Sequence, residues 1–117
     1  MPRFVILEHD HPVRHWDLML QMGEVLRTWR LEKPPMVDVP IAAAASFDHR
    51  LMYLDYQGPI SGNRGSVTRW EGGCYEIERQ SEGNLIFKVF GERLIGKIEL
   101  RLEGNQQWIF QFAVAQE

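Results

Sequence analysis

The sequence predicts a mostly β fold, an antiparallel barrel or sandwich with short helical turns, and three observations carry that expectation. Five β-type runs fill the second half of the chain, at 66–70, 74–79, 85–90, 95–102 and 107–114. Gly72-Gly73, Gly83-Asn84, Gly91 and Gly104-Asn105 punctuate them, and these residue types tolerate the backbone conformations of tight turns. Short strands at regular spacing, each closed by a glycine turn, are the pattern of antiparallel barrels and sandwiches. The third observation is composition. A chain of 117 residues, 44% hydrophobic, with six Phe, four Trp and three Tyr, is enough for the core of one compact domain over residues 1–117.

Taken in order, residues 3–8 are rich in branched and aromatic side chains and read as a buried strand. Pro12 lacks an N–H, so the stretch around His11-Pro12 is a loop. Residues 15–21 alternate, with Trp16, Leu18 and Leu20 on one face and His15, Asp17 and Met19 on the other, which is the period of a strand. Met22-Gly23-Glu24-Val25 is a tight hairpin with Gly23 first in a two-residue loop, and 25–31 is the returning strand. That turn sets a register: Met22 faces Val25, Leu18 faces Trp29, and Asp17 faces Arg30. Residues 32–40, with three prolines, form a connector. Residues 41–47 fit a strand or a short helix, the four alanines favouring helix and the short length favouring strand. Residues 48–56 hold one helical turn, in which His49 and Tyr53, four apart, share a face. Residues 58–65, with three glycines and Pro59, form a surface loop whose N–H groups are able to approach a ligand.

The chemistry concentrates between His9 and Asp17, which hold three of the four histidines. Two imidazoles and a carboxylate are a common ligand set for a divalent transition metal. His9, His15 and Asp17 are the candidate ligands, with His11 a rival because it lies two residues from His9. A solvated polar strand face is the alternative. A zinc-finger site is excluded, because there is one cysteine and no pair of thiolates. Arg30, on the same face by register, either pairs with Asp17 across the strands or reaches an anionic substrate held at the metal.

Cys74, between Gly73 and Tyr75 with no histidine nearby in sequence, reads as a small strand residue rather than a nucleophile. A single cysteine fits a reducing, cytoplasmic setting. No leader or apolar span is visible, so no membrane is expected. The net charge of -3 argues against strong non-specific nucleic-acid binding. Arg14, Arg27, Arg30, Arg50, Arg64 and Arg69 all lie within the first 69 residues and still allow a local cationic face.

Beyond this the residues carry a resemblance. Arg3-Phe4-Val5, His9-Asp10, His15-Trp16-Asp17-Leu18, Trp29, Lys33, Asp48-His49 with Tyr53, and Gly58, Gly62 and Gly65 fall in a familiar order. Val67, Trp70, Phe87-Lys88-Val89, Gly91, Arg93-Leu94 and Gly96-Lys97 continue it. Together they resemble the 3'-phosphoesterase domain of bacterial DNA ligase D, which also occurs as a stand-alone protein. The resemblance implies a small β-barrel with a manganese-preferring site, zinc or cobalt being alternatives. It also implies removal of a 3'-phosphate or 3'-ribonucleotide from the 3' end of DNA or an RNA–DNA strand. His9, His15 and Asp17 are then the metal ligands, His49 the histidine at the scissile phosphate, and Tyr53 the hydroxyl beside it. A DNA ligase or polymerase is the expected partner of a monomeric protein. Two positions depart from the family pattern: Met19 and Ile41 stand where it has phosphate-binding arginines. Arg30, where the family has a small residue, is a candidate replacement cation, with Arg50 or Arg64 beside it.

Three functions follow. The first is a metal-dependent phosphoesterase in DNA end repair. The second is a relative with weakened or lost catalysis that serves as a binding module for DNA ends or a repair partner. The third is a barrel oxygenase with a 2-His-1-carboxylate iron site, which rests on ligand type alone.

Overall fold

The computed structural model of the chain describes residues 1–116. Their strands are β1 (Arg3–His9), β2 (His15–Met22), β3 (Val25–Leu31), β4 (Ile41–Arg50), β5 (Gly58–Pro59), β6 (Ser66–Ser81), β7 (Asn84–Gly91), β8 (Ile95–Leu102) and β9 (Gln107–Val114). A 3-10 turn (Leu51–Leu54) follows β4. Eight strands close an antiparallel barrel in the order β1-β2-β3-β4-β9-β8-β7-β6, with β6 pairing back onto β1. The two-residue β5 adds to the free side of β6. Among the described residues no helix is long and apolar enough to cross a membrane.

The expected hairpin register holds: Met22 faces Val25, Leu18 faces Trp29 and Asp17 faces Arg30. Gly23 takes φ +64°, which its missing Cβ makes cheap. The inward residues of all eight barrel strands make one core, including Phe4, Ile6, Leu18, Leu20, Trp29, Leu31, Tyr75, Phe87, Ile98 and Phe110. A smaller apolar cluster lies on the opposite, outer face of β1, β2 and β3. It gathers Val5, Leu7, Met19 and Leu26 under Leu54 of the 3-10 turn and Val67. The outer wall there is therefore covered by residues 51–65 and is not the solvated face that alternation alone permits.

The open choice between strand and helix at 41–47 resolves to strand: residues 41–50 are all strand, paired on both sides, with β3 and β9. Two expectations are corrected. His49 is consequently a strand residue, and only Tyr53 lies in the 3-10 turn. The runs at 66–70 and 74–79 are one strand of 16 residues. Its first part pairs with β1 and its last part with β7, and the handover falls at Gly73. A Cβ on Gly73 would lie 2.9 Å from the Phe90 carbonyl carbon. The glycine there marks a close strand approach, not a turn.

One irregularity positions the site. β3 and β4 slip register between Leu26/His49 and Thr28/Ser46, so Phe47 and Asp48 together oppose Arg27 alone. This is a β-bulge, and it shifts the alternation of β4 by one. Ile41 and Ala43 point into the core, whereas His49, also odd-numbered, faces outward with Leu26.

Candidate functional site

A pocket of ≈ 580 Å³ opens on the outer wall between β1–β4 and the covering segment. Four adjacent strands deliver its polar side chains: His9 from β1, Asp17 from β2, Arg30 from β3 and His49 from β4. Tyr53, Arg50 and Arg64 complete the rim, and Met19 lies at the floor. His15, only 4% exposed, sits behind Asp17.

His9, His15 and Asp17 bring one donor atom each within 4.8 Å of one another. The other ring nitrogens explain how these donors are aimed. His15 Nδ1 lies 2.8 Å from the Val13 carbonyl, and His9 Nε2 lies 2.8 Å from the Arg64 carbonyl. A carbonyl only accepts, so each of these nitrogens carries the proton. His15 Nε2 then presents a lone pair 3.2 Å from Asp17 Oδ2, and His9 Nδ1 presents one 3.9 Å from the same oxygen. Three lone pairs converging in a largely buried place repel unless a cation lies among them. Donors at roughly 2.0–2.2 Å from one ion stand about 3.0–3.5 Å apart, close to the spacings here. Backbone carbonyls behind metal-binding imidazoles are the usual orienting arrangement. The residues therefore fit a divalent metal. Burial disfavours charge on His15, but the Asp17 carboxylate and the Val13 carbonyl outweigh it and raise the imidazole pKa above its ordinary value.

His11 takes no part in this set; its ring centroid is 6.4 Å from that of His9. The Asp17–Arg30 ion pair does not form among the described residues, although the two face each other across strands. Arg30 is instead exposed and lines the pocket. Met19 is 1% exposed and packs in the outer apolar cluster, so the face shared by His15 and Asp17 turns apolar one step further on. Ile41 is 2% exposed inside the barrel and does not line the pocket, so core packing accounts for its apolar side chain.

His49 is oriented by a residue that sequence reasoning missed. The Thr28 hydroxyl donates to the Leu26 carbonyl at 3.0 Å, which uses its one proton. His49 Nδ1, 2.9 Å from the same oxygen, must then donate to it. This fixes the tautomer and leaves Nε2 available. Burial lowers the His49 pKa below the ordinary imidazole value, against the opposing pull of the Asp17 charge. Tyr53 packs edge-on to His49 at 5.7 Å.

The 58–65 loop offers the site a carbonyl, that of Arg64. Asp10 fastens the loop by accepting the Ser66 N–H at 2.8 Å. The Arg64 side chain is held within the loop by the Ser61 carbonyl at 2.6 Å.

Fold and pocket together define a small closed antiparallel β-barrel that carries a candidate divalent-metal site on its outer wall, ringed by arginines. The family described as the DNA Ligase D 3'-phosphoesterase domain matches residues 7–108, and the chain belongs to that family. It is 31% identical over 120 residues to the "Multifunctional non-homologous end joining protein LigD" of Pseudomonas aeruginosa, covering 91% of this chain and 14% of that protein. The "Multifunctional non-homologous end joining DNA repair protein LigD" of Mycobacterium tuberculosis is 30% identical over 115 residues, covering 91% of this chain and 15% of the relative. The Mycolicibacterium smegmatis relative, also named LigD, is 28% identical over 123 residues, with 92% and 16% covered. The chain thus spans a small part of the length of these relatives.

Proposed function

We propose that the chain is a metal-dependent phosphoesterase that removes a 3'-phosphate or 3'-ribonucleotide from DNA ends during repair. The observation that carries this reading is the convergence of the His9, His15 and Asp17 donors, two of which line a pocket that also holds Arg30, Arg50 and Arg64. Family membership gives the reaction class, and the names of the relatives point to DNA end joining.

A divalent ion held by the three ligands, manganese by the resemblance, would polarise a phosphoryl oxygen and acidify a bound water. The protein's own groups do the rest. Arg30 and Arg64 neutralise the phosphate and hold it in place. His49, whose pKa burial lowers, offers the Nε2 lone pair as a proton acceptor beside the phosphate, oriented by Thr28. The Tyr53 hydroxyl has no protein partner among the described residues and is free to bond a phosphate oxygen. Water adds to phosphorus as its proton passes to His49 Nε2, the P–O3' bond breaks, and the 3' oxygen takes that proton and leaves as a hydroxyl.

The test is incubation with a 3'-phosphorylated primer-template, with and without manganese. Release of inorganic phosphate is expected with the metal and not with chelator, and Asp17→Asn should abolish it. The second reading is a binding module, favoured by Met19, which places a thioether at the pocket floor where the family has an arginine. Tight metal binding with no turnover under any divalent ion would overturn the enzyme and leave the module.

A further inference from the structure

Phe47 is 72% exposed, the largest exposure of any aromatic side chain among the described residues. It belongs to neither apolar cluster. The bulge in β4 sets it beside His49, and the two rings stack with centroids 4.6 Å apart and planes 18° from parallel. One face of the phenyl ring is covered by the imidazole and the other is open at the rim of the pocket. A strand residue gains nothing for folding by holding an aromatic ring in water, so the stability of the barrel does not explain it. The cations nearby fit the same purpose. Arg30 and Arg50 line the pocket, and among the described residues neither has an ion-pair partner. A flat apolar ring next to unpaired arginines matches a nucleotide, with its base on the ring and its phosphates on the guanidinium groups.

We propose that Phe47 is a stacking platform for the base of the 3'-terminal nucleotide. The terminal base offers Phe47 the one face that no neighbouring base covers, so the site takes a strand that ends there and not an internal nucleotide. Stacking on a phenyl ring reads no hydrogen-bonding edge, so the platform accepts all four bases. This inference rests on the proposed function, because it names the form of end that the same site receives.

The probes are two short single-stranded oligodeoxynucleotides with a 3'-phosphate, one ending in adenine and one ending in an abasic tetrahydrofuran residue. Their affinities for the full chain are compared by fluorescence anisotropy. The base-bearing strand should bind about tenfold more tightly, in line with one base–aromatic stack. Phe47→Ala and Phe47→Leu should bring that ratio to about one, whereas Phe47→Trp keeps it, since any planar ring serves. The substitutions remove an exposed side chain, so a folded barrel is expected, and circular dichroism confirms it. An unchanged ratio in Phe47→Ala and Phe47→Leu overturns the platform. Equal binding of both probes by the natural chain, with phosphate release intact, sinks the platform alone and leaves the proposed function standing. Failure to bind either probe sinks both.

Discussion

At the scale of single residues, the site combines ligands that sequence spacing exposes with supports that it hides. His15 and Asp17 share a strand face by period, and His9 faces His15 across the next strand. Thr28 was invisible, because its importance to His49 arises only when β3 and β4 pair. The Arg64 carbonyl was hidden for a different reason: it reaches His9 across 55 residues of chain, and any residue type supplies a carbonyl. Arg30 stands between these cases. The hairpin register placed it opposite Asp17, and only the structure shows that it makes no ion pair there and faces the pocket. Under the proposed function, Arg30 is a cation free to offset Met19. Arg30→Ala should lower the rate of phosphate release by roughly two orders of magnitude, as loss of one charge-stabilising donor does elsewhere. Metal affinity, measured by calorimetry, should hold. Unchanged turnover would rule out compensation by this residue.

At the scale of elements, the loop after the 3-10 turn works as a clamp on the site. Gly65 adopts φ +73°, and a Cβ there would run into the Asp10 carboxylate and lie 2.6 Å from the Cβ of His11. Asp10 holds the Ser66 N–H, and Arg64, next to Gly65, supplies the carbonyl that aims His9. Gly65→Ala must displace this loop and with it the partner of His9 Nε2. Loss of such an orienting partner commonly weakens metal binding by about 10–100-fold. We expect a fall in manganese affinity in that range by calorimetry, with the barrel still folded by circular dichroism. Affinity equal to the natural chain would show that the loop does not orient the ligand. The glycine was legible as a loop residue, but its contact with Asp10 was not, since the two lie 55 positions apart in sequence. The same limit applies to the bulge in β4. Alternation predicts which residues share a face only until an extra residue enters the ladder, and nothing in the run from Ile41 to Arg50 marks where that happens.

At the scale of the molecule, closure of the barrel depends on the seam where β6 returns to β1. Strand-like runs and glycine turns made the barrel or sandwich class readable, but closure is a long-range pairing with no local signal. Tyr75 is the residue that spans this seam. Its backbone N–H donates to the Pro2 carbonyl at 3.0 Å, and its hydroxyl donates to the Gln21 carbonyl at the end of β2 at 2.6 Å. Its ring lies edge-on to Phe87 in the core, with centroids 5.6 Å apart. Burial pushes the phenol pKa above its ordinary value, because the phenolate would be poorly solvated there. A pKa raised by folding means that the stabilisation is complete below the ordinary phenol value. It is lost as pH climbs toward the folded value, because the unfolded chain releases the proton first. Tyr75→Phe should therefore cost about 1 kcal/mol in urea unfolding near pH 7, the worth of one hydrogen bond. The gap between the two proteins should close between about pH 9 and pH 11, around the phenol's usual pKa. Should the gap stay constant across that range, the hydroxyl is not buried against Gln21 and the seam is held by the backbone ladder of β1 and β6 alone.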